Sequence, residues 1–107
     1  MREEIRQRIQ NDIKTNKVMI YLKGTADHPA CGFSAQAVGI LKQYHVPFKD
    51  FNILEDEEIR QGIKEYAEWP TIPQLYVNGE FIGGCDIMTE LHNSGELGKI
   101  LGVNQAA

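Results

Sequence analysis

The chain has 107 residues, of which 42% are hydrophobic, and a formal net charge of -4. Because this length suits one domain, we expect a single domain over residues 1–107 with a modest core. The acidic balance argues against a sequence-independent grip on nucleic acid or on an anionic membrane, since both need clustered Lys and Arg.

Two sequence features bear on the compartment. No segment approaches the ~20 apolar residues of a membrane span, and the N-terminal stretch MREEIRQRIQ lacks the apolar core of a signal peptide. We therefore expect a cytoplasmic protein that binds neither nucleic acid nor membrane. In a reducing compartment, Cys31 and Cys85 are expected to be reactive or metal-binding rather than a permanent disulfide.

The first half of the chain predicts a helix, a strand, a second helix and a second strand. Isoleucines at every fourth position indicate an amphipathic helix over residues 2–14. The apolar run KVMIYLK predicts a buried strand, and GTADHPA predicts a loop. The segment CGFSAQAVGILKQYH predicts a helix that begins at Cys31, and PFKDFNIL predicts a strand parallel to the first. The expected core face of that helix carries Phe33, Ala37, Val38, Leu41 and Tyr44.

The second half predicts a helix, a hairpin and an interrupted last helix. A stripe from Ile59 to Ala67 indicates a helix that Pro70 is expected to end. Asn78-Gly79, between PQLYV and EFIG, is typical of a type I′ hairpin with two antiparallel strands. A last helix is expected to begin near Asp86 and to be interrupted at Gly95.

Cys31 is expected to have a raised thiolate fraction. A thiol at a helix start faces unpaired backbone N–H groups and the positive end of the helix dipole, which favour the thiolate by roughly 0.3–1 kcal/mol at an exposed site. Ser34 stands where a redox dithiol has its second cysteine, so Cys31 cannot form a local disulfide. Phe33 is expected to anchor the helix in the core.

The motifs YLKGT, CGFSAQAV, WPTIPQLYVNGE and GGCDI follow one another in an order that resembles the monothiol glutaredoxins of the CGFS type. The resemblance implies an α/β, thioredoxin-like fold with a central four-stranded mixed sheet flanked by helices. It also implies that Cys31 binds glutathione and that two chains share a 2Fe-2S cluster. One departure is Ala26, where many members have a proline, and it is expected to leave the loop GTADHPA freer.

The resemblance also implies a glutathione site. The Ile72-Pro73 bond is expected to be cis, so that the backbone of Ile72 pairs with the tripeptide. Gly83 and Gly84 are expected to present the backbone of Cys85 and Asp86 as an anion-binding helix start. The side chain of Asp86 is expected to accept the glutathione ammonium and can also cap the helix.

Basic side chains are expected to hold the glutathione carboxylates. By resemblance, Lys23 lies near the thiol and Arg60 reaches the glycyl carboxylate, whereas Lys64 is expected at the surface. The histidines are expected to be uninvolved: His28 has no Cys or His at zinc spacing, and His45 and His92 are expected to be exposed.

The cluster needs four thiolate-type ligands, and each chain offers one well-placed cysteine. Two glutathione thiols would complete the set, giving a homodimer in which Cys31 of each chain ligates the shared 2Fe-2S cluster. Two other uses of Cys85 stay open at this point. Cys85 could be a second protein ligand, or it could form a slow disulfide with Cys31.

Three classes of function are compatible with the sequence. The first is a carrier that stores or transfers clusters during iron-sulfur assembly, with BolA-like proteins and recipient apoproteins as partners. The second is enzymatic, at most a weak glutathione-dependent thiol-disulfide oxidoreductase that removes glutathione from mixed disulfides through Cys31. The third is an adaptor that binds a BolA-like protein through the cluster face.

Overall fold

The computed structural model describes residues 1–103 and has helices on both faces of a four-stranded sheet. The strand order is β2-β1-β3-β4, with β1 parallel to β2 and the other two pairs antiparallel. The elements in chain order are α1 (Glu3–Thr15), β1 (Val18–Leu22), α2 (Gly32–Lys42), β2 (Lys49–Asn52), a 3₁₀ turn (Ile53–Glu55), α3 (Glu57–Ala67), β3 (Gln74–Val77), β4 (Glu80–Gly83), α4 (Cys85–Ser94) and α5 (Glu96–Leu101). Within residues 1–103, no helix has the length and apolar character needed to cross a membrane.

The central strand β1 divides the core into two layers. All five of its residues are buried, and successive side chains point to opposite faces. Val18, Ile20 and Leu22 pack with α2, α4 and α5, whereas Met19 and Tyr21 pack with α1 and α3. A strand that is covered on both faces has apolar side chains at successive positions. For this reason the segment KVMIYLK does not alternate between apolar and polar residues. The predicted thioredoxin-like mixed sheet is confirmed.

The turns also follow the sequence closely. Asn78 and Gly79 both have positive φ, at 53° and 82°, as a type I′ hairpin turn requires. The Ile72-Pro73 bond is cis. Gly95 adopts the left-handed conformation and separates α4 from α5, so the last helical segment is indeed in two pieces. The end of α3 differs from the expectation, because Glu68 turns left-handed, with φ 52°, and the helix ends at Ala67 before Pro70 is reached.

Phe33 does not anchor α2 in the core. Its side chain is 63% exposed, and the fully buried position in the first turn belongs to Ser34. Side chains of a helix tilt toward its N-terminus, so a side chain in the first turn can extend past the end of the sheet. The aromatic ring of Phe33 therefore forms part of the surface beside Cys31.

The histidine predictions hold only in part. His45 is exposed, as expected. His92 is half-buried, because its imidazole Nδ1 hydrogen-bonds with the hydroxyl of Tyr44 and the two rings meet edge to face. His92 therefore helps to hold α4 against the end of α2.

Candidate functional site

Cys31 is the N-cap residue of α2. Its backbone is extended, with φ -150° and ψ 159°, and its carbonyl accepts the first helical hydrogen bond from the N–H of Ala35 at 3.0 Å. Its sulfur accepts from the backbone N–H of Ser34 at 3.4 Å. A side-chain oxygen of Ser, Thr, Asp or Asn usually takes this capping position. Here the cap is a sulfur atom, which turns an ordinary helix start into a site for a stabilised thiolate.

The Ser34 hydroxyl is the second group on the sulfur. Ser34 Oγ lies 3.3 Å from Cys31 Sγ, and it accepts a hydrogen bond from the backbone N–H of Lys23 at 3.0 Å. The Ser34 side chain is fully buried. Sequence reasoning treated Ser34 only as a missing cysteine. Ser34 lies three residues after the N-cap, at the position from which a capping-box side chain reaches back to the cap. This spacing could have indicated its contact with Cys31.

These contacts change the acidity of Cys31. Partial burial opposes ionisation, but hydrogen bonds from the Ser34 hydroxyl and from the backbone of Ser34 and Phe33, together with the charge of Lys23, outweigh it. The pKa of the Cys31 thiol is therefore lowered from its ordinary value. The side chain remains partly exposed, so a thiolate formed there is open to a reactant or a metal.

The loop before Cys31 is tied down, contrary to the expectation that Ala26 would leave it freer. The N–H of Ala26 donates to the Asp50 carboxylate at 2.8 Å, and the Ala26 carbonyl accepts from Lys42 Nζ at 3.1 Å. The N–H of Gly24 donates to Asn52 Oδ1 at 2.9 Å. A proline has no N–H, so the tether to Asp50 is one that alanine allows and proline forbids.

A cavity of about 470 Å³ lies beside Cys31. The lining includes the predicted site residues Lys23, Ile72, Cys85 and Asp86, together with the exposed ring of Phe33. Cys31 itself does not line the cavity, but its charge influences the pKa of Cys85 in the wall. The structure thus brings four of the expected ligand-binding residues to one concave surface next to the thiol.

Arg60 and Lys64 differ in their relation to the cavity. Arg60 does not line the cavity, and its guanidinium lies 3.8 Å from the carboxylate of Glu57 on the same helix. Lys64, which we expected at the surface, is a lining residue. The two lie four residues apart on one face of α3, so the spacing could have indicated both.

Cys85 and Asp86 begin α4, but neither caps it. The helix starts at Cys85, one residue earlier than expected, with Gly84 as its N-cap and no side-chain cap. Asp86 consequently lies within the first turn, too late to cap, and its side chain is exposed. The expected capping role of Asp86 is wrong, and its carboxylate is available to a ligand.

The sulfur of Cys85 differs from that of Cys31. Cys85 is only 7% exposed, and burial raises the pKa of its thiol in spite of a hydrogen bond with Thr89. The negative charges of Asp86 and Cys31 raise it further. Both cysteines are free thiols.

Close backbone packing positions the start of α4. A Cβ placed on Gly84 would lie 3.1 Å from the carbonyl oxygen of Pro73 and 3.4 Å from Trp69 Nε1. The glycine therefore lets α4 begin directly against the cis-proline segment, so that Ile72 and Cys85 face the same cavity.

Within residues 1–103, no three His, Cys, Asp or Glu side chains come together in a way that could hold a metal ion. His28 is exposed and belongs to no such group.

Comparisons with known proteins agree with this geometry. The family model described as Glutaredoxin matches residues 18–82. The chain is 53% identical over 107 residues to an uncharacterized monothiol glutaredoxin ycf64-like of Synechocystis, covering all of both chains. It is 51% identical over 106 residues to the mitochondrial monothiol glutaredoxin-5 of Saccharomyces cerevisiae, covering 96% of this chain and 71% of that one.

Solved structures show the same fold. Reduced poplar apo GrxS14 superposes with a TM-score of 0.79 at 50% identity, covering 89% of this chain and 87% of that one. A buckwheat glutaredoxin-glutathione complex superposes with a TM-score of 0.82, covering 95% of this chain and 94% of that one. Since the buckwheat protein is only 20% identical, its likeness speaks for the fold alone.

Proposed function

This chain belongs to the glutaredoxin family and, within it, to the monothiol glutaredoxins, and from that membership we propose that it binds glutathione beside Cys31 and carries a 2Fe-2S cluster between two copies of itself. The cluster is cargo, which the dimer stores and passes on during iron-sulfur assembly. The observation that carries the proposal is the pairing of a partly exposed thiol of lowered pKa with an adjoining cavity that has two lysines in its wall.

The cavity suits glutathione in size and charge. Its volume of about 470 Å³ is within the range of roughly 300–1,000 Å³ that small-molecule sites occupy. Glutathione has two carboxylates and one ammonium, and the wall offers Lys23 and Lys64 as cations and Asp86 as an anion. The separated charges allow each charged group of the tripeptide to meet an opposite one.

Several residues in and near the wall are assigned a role toward glutathione. Lys64 takes the glycyl carboxylate that the family resemblance had assigned to Arg60, and Arg60 adds positive charge from one turn earlier on α3. The backbone N–H groups of Cys85 and Asp86, at the start of α4, receive the γ-glutamyl carboxylate. The Asp86 side chain accepts the ammonium, and the backbone of Ile72 pairs with the extended tripeptide.

We assign the two cluster ligands that Cys31 does not supply to glutathione rather than to Cys85. A 2Fe-2S cluster takes four thiolate-type ligands. Cys85 is buried, and burial raises the pKa of its thiol, which disfavours the thiolate form that ligation requires. Cys31 from each of two chains and the thiols of two glutathiones make up the four. Such a homodimer holds its cargo through few protein bonds, which suits transfer to a recipient apoprotein.

The exposed ring of Phe33 supports a surface for partners beside the cargo. It is 63% exposed in the first turn of α2, next to Cys31. We assign this surface to BolA-like proteins and to recipient apoproteins.

A cytoplasmic setting fits two cysteines that stay as free thiols.

A second function uses the same thiolate without iron. Cys31 attacks the glutathione sulfur of a mixed disulfide, and the substrate thiolate leaves and takes a proton from water. A second glutathione thiolate then attacks the glutathione sulfur on Cys31, which releases oxidised glutathione and restores the Cys31 thiolate. The absence of a cysteine at residue 34 favours this one-thiol cycle over a dithiol cycle.

Anaerobic reconstitution tests the main proposal. The protein is incubated with iron and sulfide, with and without glutathione, and its visible spectrum and native mass are measured. With glutathione we expect a 2Fe-2S chromophore in a dimer, and without any small thiol we expect colourless protein. A stable chromophore in the complete absence of small thiols would contradict the proposed ligand set.

A further inference from the structure

A second cavity lies at the end of the sheet opposite Cys31. Its volume is about 420 Å³, close to that of the cavity beside the thiol. The wall is formed where β1 and β2 begin and where α5 ends, whereas Cys31 follows the other end of β1. No residue that the structure describes lines both cavities, so the two sites are separated by the length of the central strand.

The floor of this second cavity is continuous with the hydrophobic core. Val18 and Leu101 are buried, and the half-buried side chains of Val46, Phe48 and Val103 pack against the same core cluster. An apolar group placed on these side chains leaves water, which is favourable. A cavity of roughly 300–1,000 Å³ with a mainly apolar wall and a few polar groups is the usual form of a small-molecule site.

The charged groups in this wall are two lysines, with no Asp or Glu among the described residues that line it. Lys17 precedes β1 and Lys49 begins β2, and both are exposed. Neither takes part in an ion pair within residues 1–103. The whole chain has a net charge of -4, so this wall is opposite in sign to the protein around it. Two cations at one cavity repel each other, and an anion bound between them relieves the repulsion.

The backbone at the end of α5 makes room for one of these cations. Gly102 ends the helix in the left-handed conformation, with φ 84°, and a Cβ placed on it would lie 2.9 Å from Lys17 Nζ. The ammonium of Lys17 is therefore close to the end of α5, next to the apolar side chains of Leu101 and Val103 in the wall. The negative end of the helix dipole also favours a cation there, so Lys17 has a structural effect that the test must separate from binding.

We propose that this cavity binds a small organic acid with an apolar body, with its carboxylate between Lys17 and Lys49 and its hydrocarbon part on Val18, Phe48 and Leu101. A small hydrophilic anion would leave the apolar floor in contact with water, and an uncharged hydrocarbon would leave both ammonium groups without a counter-ion. The wall therefore selects a ligand that has both parts. The site needs neither Cys31 nor glutathione, and so it goes beyond the proposed function.

The experiment is a titration of the full, ¹⁵N-labelled chain with octanoate, a straight-chain carboxylate, in the absence of iron and glutathione. Amide resonances are followed by NMR below the concentration at which octanoate forms micelles. We expect the amides of Lys17, Phe48, Lys49 and Val103 to shift together and to saturate. Acetate keeps the charge without the apolar body, and octanol keeps the body without the charge. Both are expected to bind at least several-fold more weakly than octanoate.

Three lysine variants test the assigned charges. Lys17→Gln and Lys49→Gln are each expected to weaken octanoate binding several-fold and to leave octanol binding unchanged. Lys14→Gln removes an exposed lysine of α1 that does not line the cavity, and its octanoate titration is expected to match the parent. Thermal unfolding of each variant separates a loss of binding from a loss of fold, which matters most for Lys17 beside α5.

Saturable shifts at this end of the sheet, with the stated order of ligands and variants, support the proposal. It is overturned if octanoate leaves these amides unmoved or shifts only those of the thiol-side cavity, such as Lys23 and Cys85. It is also overturned if octanol binds as tightly as octanoate, or if Lys17→Gln and Lys49→Gln both titrate like Lys14→Gln. Because neither iron nor glutathione is present, such a failure is distinct from a failure of cluster binding in reconstitution.

Discussion

The two cysteines of this chain both stand at helix starts, and the structure treats them in opposite ways. Cys31 is the N-cap residue of α2, with its sulfur accepting the N–H of Ser34 and part of its surface exposed. Cys85 is the first residue inside α4, it is 7% exposed, and the helix has no side-chain cap. The two cysteines differ by one position relative to the helix start. The sulfur of the N-cap residue accepts a hydrogen bond at the helix end, whereas the sulfur of the first helical residue is buried in the cavity wall.

The comparison shows that a helix N-terminus alone does not make a thiolate. The pKa of Cys31 is lowered because donors from Ser34 and Phe33 and the charge of Lys23 outweigh burial. The pKa of Cys85 is raised because burial, joined by the charges of Asp86 and Cys31, outweighs a hydrogen bond with Thr89. The helix dipole is available to both, so the local donors and charges decide.

The largest expected effect comes from removing each sulfur in turn. Cys31→Ser is expected to abolish both cluster assembly and glutathionylation, because it removes the stabilised thiolate. The visible chromophore after anaerobic reconstitution with glutathione measures the first, and mass spectrometry after treatment with oxidised glutathione measures the second. Cys85→Ser is the matched control and is expected to keep both. A normal chromophore in Cys31→Ser protein would reverse the assignment of the two cysteines.

The pH dependence of thiol alkylation sharpens the comparison. Because the pKa of Cys31 is lowered and that of Cys85 is raised, Cys31 keeps its thiolate to lower pH than Cys85 does. Each unit of separation changes the ratio of thiolates by about tenfold. At neutral pH we expect Cys31 to react with iodoacetamide faster than Cys85, measured by mass spectrometry of the two peptides. The ratio of the two alkylation rates should become smaller as the pH rises and both thiols ionise. Equal rates at neutral pH would contradict the proposed difference in acidity between the two cysteines.

The basic residues test whether the cavity that contains Cys85 in its wall is the glutathione site. Lys23→Ala and Lys64→Ala are each expected to raise several-fold the glutathione concentration needed for half-maximal cluster assembly. Arg60→Ala is expected to have a smaller effect, because Arg60 does not line the cavity. Lys99→Ala, on α5, is the control and should leave the titration unchanged. If Arg60→Ala exceeds Lys64→Ala, the glycyl carboxylate is held by Arg60 after all.

These charge removals should barely alter stability. Exposed ion pairs contribute only ~0–1 kcal/mol to the free energy of unfolding, and the basic side chains are proposed to hold a ligand. Thermal unfolding of the variants is therefore expected to stay close to that of the parent protein, and a large loss would indicate a structural role.

The last expected effect is on stability alone and concerns the loop that leads to Cys31 and has no counterpart before Cys85. Asp50→Ala removes the acceptor of the Ala26 N–H and is expected to lower the free energy of unfolding by about 1.5–3 kcal/mol, the usual range for a hydrogen bond to a charged group. Asp50→Asn retains an acceptor oxygen and should cost less. Chemical denaturation measures both, and an unchanged midpoint for Asp50→Ala would show that the tether is weak.

Local pattern predicted most of the fold. The apolar run of β1, the isoleucine stripe of α1 and the Asn78-Gly79 turn each carry their own signal in a few neighbouring residues. Phe33 was wrongly assigned to the core because periodicity does not say where a helix passes the end of its sheet. Only the assembled layers show that Ser34 is the inward residue of the first turn.

The sequence indicated most of the residues at the cavity but not the position of Lys64 or the hydrogen bonds of the loop before Cys31. Family motifs indicated Lys23, Ile72, Cys85 and Asp86, which the fold brings to one cavity. The place of Lys64 depends on how α3 rotates against the sheet, which no single residue encodes. The tether of Ala26 to Asp50 joins residues 24 positions apart in the chain, and only the parallel pairing of β1 and β2 brings the loop and the strand together.

The composition of the reconstituted cluster tests the central claim most directly. Cys85→Ser protein is assembled anaerobically with iron, sulfide and glutathione, freed of unbound thiol, and quenched in acid for analysis of iron, sulfide, glutathione and protein. We expect two glutathiones and two chains for each 2Fe-2S cluster, the same as for the parent protein. A parent dimer that holds its cluster without any small thiol, combined with loss of the cluster in Cys85→Ser, would contradict it and make Cys85 a cluster ligand.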